Sequence, residues 1–302
     1  MSLSVIIPSY NGSRFIEEAI RSVLQQQQPP EEILVCDDNS TDNTLEICRR
    51  YEDRITLYTN PDGPSGFVNA WNRAISQTKG EYISILHQDD ILDPIFTRTA
   101  MTALQAAPTI RHLFTTCQYI DEEGRPLSTS YSPGLLDPTE VRLTGPQYVR
   151  CYQCMGAPHI HRCPGVITHR SIFEQCRYEP SSGHIADDDF FYRVGMFTDV
   201  IGILQPLASF RLHDQSATGS LKDTALAGQL MKDYLYQCRQ WKNHPFLNQE
   251  AYQYFVRHAH KYARRFLGYG LRQMNLPIIL KGLCHYTALY GTLHLPLKFS
   301  GK

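Results

Sequence analysis

The chain has 302 residues, enough to bury a substantial core in one large domain or in one domain with an appendage. Its 29 basic and 30 acidic residues give a net charge of −1, so no global positive field would recruit nucleic acid. Nine cysteines, an odd number, and an N-terminus that enters a short strand directly rather than an export signal predict reduced thiols and a cytoplasmic location.

The first half of the chain alternates between strands and helices. Strands are predicted at 3–8, 32–37, 55–59 and 80–90, and helices at 13–24, around 45–47 and at 67–77. This alternation predicts an α/β fold with a doubly wound, mostly parallel sheet flanked by helices. In such sheets ligands bind at the carboxyl ends of the strands.

The second half is less regular. A helix is predicted from Pro94 to about Ala107 and a strand at 112–120, whereas the weak periodicity of 128–164 predicts irregular substrate-shaping loops. Beyond residue 221 the pattern is helical, with apolar residues at spacings of three and four. We therefore predict a sheet domain at 1–219 and a helical region at 220–302.

Two adjacent carboxylates, Asp89 and Asp90, end the fourth strand. Neighbouring carboxylates repel each other unless they share a cation, and a divalent ion with oxygen ligands is a common solution. The alternative is that these residues only favour the start of the helix that follows Pro94.

Several motifs, taken together, resemble one family. They are Val5-Ile6-Ile7-Pro8-Ser9-Tyr10-Asn11-Gly12, Asp37-Asp38-Asn39-Ser40-Thr41-Asp42, Asp89-Asp90, Asp187-Asp188-Asp189 and Arg211-Leu212-His213. Over roughly residues 3–215 the chain resembles the family 2 glycosyltransferases of the GT-A fold. The resemblance implies an inverting transferase that uses a nucleotide-diphosphate sugar, with a uridine donor favoured.

The resemblance also implies roles for single residues. Pro8, Tyr10, Asn11, Asp38 and Asp89 would bind the nucleotide donor, with Asp38 accepting a hydrogen bond from the imino N–H of the base. Asp90 and His213 would hold Mn²⁺ or Mg²⁺. The chain departs from the family pattern at His87, which stands where many members have the first aspartate of the metal motif; we expect it to face the nucleotide or a water of the metal site. The acidic residues of the 37–42 motif have the alternative role of capping a helix.

The family's catalytic carboxylate matches Asp187, six residues before Arg193. Ala186 replaces the usual glutamate, and Asp188 is the alternative if the register differs by one residue. Acidic residues in the first turn of a helix also stabilise it through its dipole, which is the structural alternative.

One cluster lies outside the family pattern and contains Cys151, Cys154, His159, His161 and Cys163. These residues could bind zinc, or they could be unpaired thiols in a substrate loop with the two histidines offered to the acceptor or a phosphate. We expect no zinc, because structural zinc sites usually pair two ligand hooks across a longer spacer.

The helical C-terminal region carries His258, His260, Lys261, Arg264, Arg265 and Arg272. A basic face of this kind would suit peripheral association with the inner face of an anionic membrane, and the same pattern would suit a polar face covering the catalytic domain.

The acceptor would be a saccharide or a lipid-linked sugar in cell-surface polysaccharide or glycolipid synthesis. The alternatives are a non-catalytic sugar-nucleotide or partner-binding protein, and a nucleotidyltransferase, which the absence of a glycine-rich, arginine-containing loop disfavours.

Overall fold

The computed structural model describes residues 1–129, 140–154, 161–214, 216, 224–244 and 249–283. Two compact units make up this part of the chain. The first unit contains the described residues of 1–178 together with 190–213, and the second contains 179–189 and the described residues from 214 onward. The predicted boundary near Gly219 falls outside the described residues and stays a prediction.

The described strands form one sheet. They are β1 (Leu3–Ser9), β2 (Glu32–Asp37), β3 (Thr56–Thr59), β4 (Tyr82–Ile85), β5 (Ile91–Leu92), β6 (His112–Ile120), β7 (Pro126–Thr129), β8 (Glu140–Leu143), β9 (Val166–His169) and β10 (Val200–Arg211). The order along the sheet is β3-β2-β1-β4-β9-β6-β10-β5, with β7 beside β6 and β8 beside β10. Strands β3, β2, β1 and β4 pair in parallel, as do β6 and β10, and antiparallel β9 joins the two sets. The predicted α/β class is confirmed.

Nine α-helices accompany these strands in the described part of the chain. Those of the first half are α1 (Ile16–Leu24), α2 (Thr44–Arg49), α3 (Phe67–Gln77), α4 (Phe96–Gln105) and α5 (Gly145–Cys154); α6 (Arg170–Gln175), α7 (Ala186–Val194), α8 (Thr224–Trp241) and α9 (Gln249–Arg272) follow. Strand β1 is buried along its whole length, as expected of a parallel strand covered on both faces.

Two predictions about the first unit are corrected. The first helix begins at Ile16 rather than at Ser13, because the Ser13 N–H donates to Asp42 Oδ2 at 3.1 Å and a turn precedes the helix. The stretch 128–164 is not irregular throughout, since β8 pairs with β10 and α5 follows it. Short elements in polar sequence carry little periodicity of their own, so pairing partners far along the chain determine them.

In the second unit α8 packs against α9. The apolar residues predicted to share one helix face are buried, which confirms that spacing; they are Tyr252, Phe255, Val256, Ala259, Tyr262, Ala263 and Phe266. Gly228 of α8 lies so close to the Phe266 ring that an added Cβ would be 2.7 Å from it. Within the described ranges, we find no helix with the length and apolarity needed to cross a bilayer.

Candidate active site

Asp38 lies just beyond the carboxyl end of β2, with only 4 % of its surface exposed. Its carboxylate accepts hydrogen bonds from the Asn60 amide at 2.7 Å, from the Ser65 N–H and hydroxyl at 2.7 and 2.9 Å, and from the Gly66 N–H at 3.2 Å. Asp38 therefore holds the loop 60–66 close to the end of β2. A nucleotide base would have to share these oxygens, and the contact to a base stays a prediction.

Asp42, at the end of the same acidic motif, binds backbone. Its carboxylate accepts the N–H of Ser13 at 3.1 Å and that of Thr44, the first residue of α2, at 3.0 Å. Burial acts to raise the pKa of Asp42, but hydrogen bonds from Thr44 and Ser13 outweigh it and bring the pKa to about 2. Asp42 therefore has a structural role next to the start of α2, although the N-cap residue of that helix is Asn43.

The predicted nucleotide-binding residues of β1 lie at or beyond its carboxyl end. Pro8 is buried in register with β2, whereas Tyr10 is 46 % exposed. Asn11 has a φ of 48°, and its side-chain carbonyl accepts the Thr41 N–H at 2.8 Å. Gln88, which the sequence did not single out, accepts the Tyr10 N–H at 2.9 Å and donates to the Tyr10 carbonyl at 3.2 Å. The exposed end of β1 is thus hydrogen-bonded to the segment 87–90, which contains Asp89 and Asp90.

The segment 87–90 contains candidate metal ligands. Among the described residues, His87, Asp89 and Asp90 offer ligand atoms that lie within 4.8 Å of one another. His213 joins them, with Nε2 at 2.8 Å from Asp89 Oδ2. Asp90 is 1 % exposed, and its Oδ1 accepts the Arg211 N–H at 2.9 Å. Its buried Oδ2 accepts no hydrogen bond from the described part of the chain.

The two carboxyl groups have opposite pKa shifts. Burial, together with the charge of Asp89, raises the pKa of Asp90 well above its usual range. Burial also acts to raise the pKa of Asp89, but the hydrogen bond to His213 and the charges of the two histidines lower it overall. A buried carboxylate oxygen with no hydrogen bond, beside a second carboxylate and an imidazole, is a donor set that fits Mn²⁺ or Mg²⁺.

Arg211 holds Asp89 and Asp90 in place through hydrogen bonds, a role that the sequence did not reveal. The side chain is fully buried, and its Nε donates to the Asp89 carbonyl at 2.9 Å. The guanidinium also donates to the Glu122 carbonyl at 2.9 Å and to the Glu18 carboxylate at 2.6 Å. With its own N–H on the Asp90 carboxylate, Arg211 orients both members of the pair.

His87 stacks on an aromatic group. Its ring lies 5.0 Å from that of Trp71 with an interplanar angle of 19°, and its Nδ1 is 3.7 Å from Asp90 Oδ2. Phe67 and Tyr178 pack against the other sides of Trp71, each with ring centroids 5.2 Å away. His87 therefore belongs to the candidate ligand group itself, more directly than we expected from the sequence.

The predicted catalytic carboxylate is in the second unit. Asp187 occupies the first turn of α7, is half-buried, and accepts the Asp188 N–H at 2.9 Å. Asp188 and Asp189 are buried, with 6 % and 4 % of their surfaces exposed, and Asp189 accepts a hydrogen bond from Gln237 at 2.9 Å. Asp187 is thus the most accessible of the three, and its catalytic role stays a prediction.

The cysteine and histidine cluster is described only in part, because His159 and the side chains of Cys151 and Cys154 lie outside the described residues. His161 is in the core, where its Nε2 is 2.8 Å from Tyr148 Oη and its Nδ1 is 3.1 Å from the Arg162 carbonyl. The prediction that His161 faces an acceptor or a phosphate is wrong, because the ring is buried among aromatic side chains. Zinc binding by the cluster stays untested.

Comparison with known proteins identifies the family. The model for glycosyl transferase family 2 matches residues 4–156, about half of the chain. The matched residues include most of β1 and all of β2. They also include Asp89 and Asp90, so the family model covers the part of the candidate site that lies at the carboxyl ends of these strands. The chain belongs to the family 2 glycosyltransferases.

Individual relatives cover only part of the chain. It is 31 % identical to the chondroitin synthase of Pasteurella multocida over 133 residues, which are 43 % of this chain and 14 % of that protein. It is 41 % identical to UDP-Glc:alpha-D-GlcNAc-diphosphoundecaprenol beta-1,3-glucosyltransferase WfgD of Escherichia coli over 90 residues, which are 30 % of this chain and 35 % of WfgD. The chain thus spans well under two thirds of either relative.

A solved structure matches almost the whole chain. The mannosyltransferase PcManGT of Pyrobaculum calidifontis, in complex with GDP-Man and Mn²⁺, has a TM-score of 0.59 at 18 % identity. The match covers 95 % of this chain and 80 % of that one. At this level of identity the likeness demonstrates the shared fold.

Proposed function

We propose that the protein transfers a sugar from a nucleotide-diphosphate donor, preferentially a uridine one, to a hydroxyl of a saccharide or lipid-linked acceptor, with inversion at the anomeric carbon. Family membership supports the transferase class. The name of WfgD specifies UDP-Glc as donor and a diphosphoundecaprenol-linked acceptor, and this supports a role in cell-surface polysaccharide or glycolipid synthesis.

The observation that carries this proposal is the buried carboxylate of Asp90. Its Oδ2 accepts no hydrogen bond within the described ranges, although a buried, unpaired charge is costly. Asp89 and His213 lie beside it at the edge of the sheet where nucleotides bind in α/β folds. Bound there by Asp90, Asp89 and His213, Mn²⁺ or Mg²⁺ would supply Lewis-acid neutralisation of the charge on a leaving diphosphate.

The remaining roles belong to the chain's own groups. Asp187 takes the proton of the acceptor hydroxyl as that oxygen attacks the anomeric carbon from the face opposite the diphosphate. The bond between the anomeric carbon and the diphosphate breaks as the new glycosidic bond forms, so one displacement inverts the centre. Pro8, Tyr10 and Asn11 line the nucleotide pocket, and Asp38 reads the base.

Turnover of a donor panel tests the proposal. With Mn²⁺ present, uridine diphosphate sugars should release UDP faster than guanosine diphosphate sugars release GDP, and a lipid-linked saccharide acceptor should increase that release. Isothermal calorimetry on the same panel would report binding separately. Tight nucleotide binding without release from any donor would instead support the non-catalytic binding protein.

Asp38→Ala should narrow the preference for uridine over guanosine nucleotides. A hydrogen bond to a charged group is worth about 1.5–3 kcal/mol, which corresponds to about 10–100-fold in affinity. Because Asp38 also holds the loop 60–66, Ser65→Ala is the matched control: it removes one hydrogen bond of that loop but keeps the carboxylate. Competition binding would measure both ratios, and an unchanged preference in Asp38→Ala would mean that the base is read elsewhere.

We also propose that the second unit docks on the cytoplasmic face of an anionic membrane. Leu271, Met274, Leu276, Leu280 and Leu283 are between 45 % and 89 % exposed at and beyond the end of α9. Exposed arginines and lysines accompany them, among them Arg272 and Lys281. Apolar side chains next to cations suit the boundary between acyl chains and anionic headgroups.

Co-sedimentation with vesicles of phosphatidylcholine and phosphatidylglycerol checks this docking. Met274→Ser combined with Leu276→Ser should lower the bound fraction several-fold, whereas Leu127→Ser, a control 55 % exposed on β7 of the first unit, should not. High salt should weaken binding further, because it screens the lysines and arginines. Equal bound fractions of the unmodified protein, the Met274→Ser/Leu276→Ser variant and Leu127→Ser would contradict the proposal.

A further inference from the structure

Helix α8 contains two polar residues that are buried one turn apart. Asp233 has 2 % and Gln237 has 0 % of its surface exposed. Polar groups at such positions cost free energy unless their hydrogen bonds are satisfied, and an apolar side chain would pack there without that requirement. Each of the two residues forms at least one hydrogen bond with the segment 182–189, which contains Asp187.

Asp233 binds the segment on the amino-terminal side of Asp187. Its Oδ2 accepts the His184 N–H at 3.0 Å and lies 3.5 Å from His184 Nδ1, and its Oδ1 accepts a hydrogen bond from the Gln229 side chain at 2.7 Å. The carboxylate also packs on Gly183, where an added Cβ would be 2.5 Å from Oδ1. Gly183 has a φ of 57°, so glycine is required there both for the backbone angle and for this approach.

Gln237 forms hydrogen bonds with residues that precede and follow Asp187 in the chain. Its Nε2 donates to Ser182 Oγ at 3.1 Å and to Asp189 Oδ1 at 2.9 Å. Its Oε1 accepts the Trp241 indole N–H at 2.6 Å, which fixes the orientation of the amide. One side chain of α8 thus connects the 3₁₀ turn at Pro180–Ile185 to the first turn of α7.

We propose that Gln237 and Asp233 are positioning residues for Asp187. The inference rests on the proposed function, in which Asp187 accepts the proton of the acceptor. Residues on each side of Asp187 are hydrogen-bonded to α8, so this helix constrains the path of the backbone through Asp187. Buried Asp188 and Asp189 stay inside the unit as a result, and Asp187 alone of the three is left half-exposed. The C-terminal region would then contribute to catalysis without touching substrate.

A double-mutant cycle tests the proposal. Gln237→Ala should lower kcat about 10- to 100-fold, since misplacing a catalytic group by about 1 Å costs rates of that order, while the UDP affinity stays within about twofold. In an Asp187→Asn background the same substitution should change the residual rate less than about twofold, because the base that it positions is already absent. Gln240→Ala is the matched control, a truncation of the same residue type on the exposed face of α8, and should leave kcat unchanged.

The outcomes separate this inference from the proposed function. If Gln237→Ala lowers the rate by the same factor with and without Asp187, its effect is general and the positioning role is wrong while the base remains supported. If Asp187→Asn alone transfers at the full rate, both the base and the positioning role are wrong. Should Gln237→Ala fail to fold, Gln237→Met fills the same space without donating to Ser182 or Asp189, and the same cycle is measured with it.

Discussion

Asp187→Asn is expected to lower the rate of sugar transfer by about 10²–10⁴-fold, the usual contribution of a general base, while UDP affinity is retained. Asparagine keeps the size of the side chain and an oxygen that can accept the Asp188 N–H, but it cannot take a proton from the acceptor. The loss should therefore appear in kcat rather than in donor binding. Single-turnover rates and calorimetry with UDP measure the two effects separately.

Asp188→Asn is the matched control for this substitution. Asp188 is buried with 6 % of its surface exposed, so we expect its variant to lose far less activity. A larger loss in Asp188→Asn than in Asp187→Asn would mean that the register is wrong by one residue. If both variants melt at lower temperature with full activity, the aspartates act only on the helix dipole, which is worth about 0.3–1 kcal/mol each.

The sequence pattern predicted the parallel strands β1, β2 and β4 because each contains a short apolar run. β1 and β4 illustrate this, since both are buried along their whole length and only serines and one proline interrupt their other apolar residues. The opposite holds for β8, whose residues Glu140–Leu143 are half-buried or exposed and contain no apolar run. Its place in the sheet depends on pairing with β10, about 60 residues later, and this cannot be inferred from local pattern.

The candidate site was predictable where chemistry is local. Asp89 and Asp90 are adjacent, so a candidate cation site at this position can be predicted from two letters of the sequence. Arg211 is the opposite case, because its contacts with Asp89 and Glu18 span 122 and 193 residues. Trp71 lies on a helix face that ordinary core packing would also explain, and its stacking on His87 is evident only from the fold.

Removal of the divalent ion is the second large effect that we expect. Chelation should weaken UDP binding about 10²-fold or more, since several kcal/mol of charge stabilisation disappear and each 1.4 kcal/mol is a factor of ten. Asp90→Asn should produce the same loss with Mn²⁺ present. The amide carbonyl can still accept the Arg211 N–H, but it carries no charge with which to hold the ion.

The melting temperature of Asp90→Asn distinguishes a loss of metal and UDP binding from unfolding. Without metal, Asp90 is a buried carboxyl group next to a second one, and the charged form is disfavoured there, so a neutral amide should leave the melting temperature equal or higher. Asp93→Asn, three residues further along, is the control: it keeps an acceptor for the Ile95 N–H and should bind Mn²⁺ as the unmodified protein does. Titration of Mn²⁺ followed by electron paramagnetic resonance would report the ion directly. If Asp90→Asn binds Mn²⁺ and UDP with unchanged affinity, this carboxylate does not hold the ion, and a chelator effect would then have to come from other ligands.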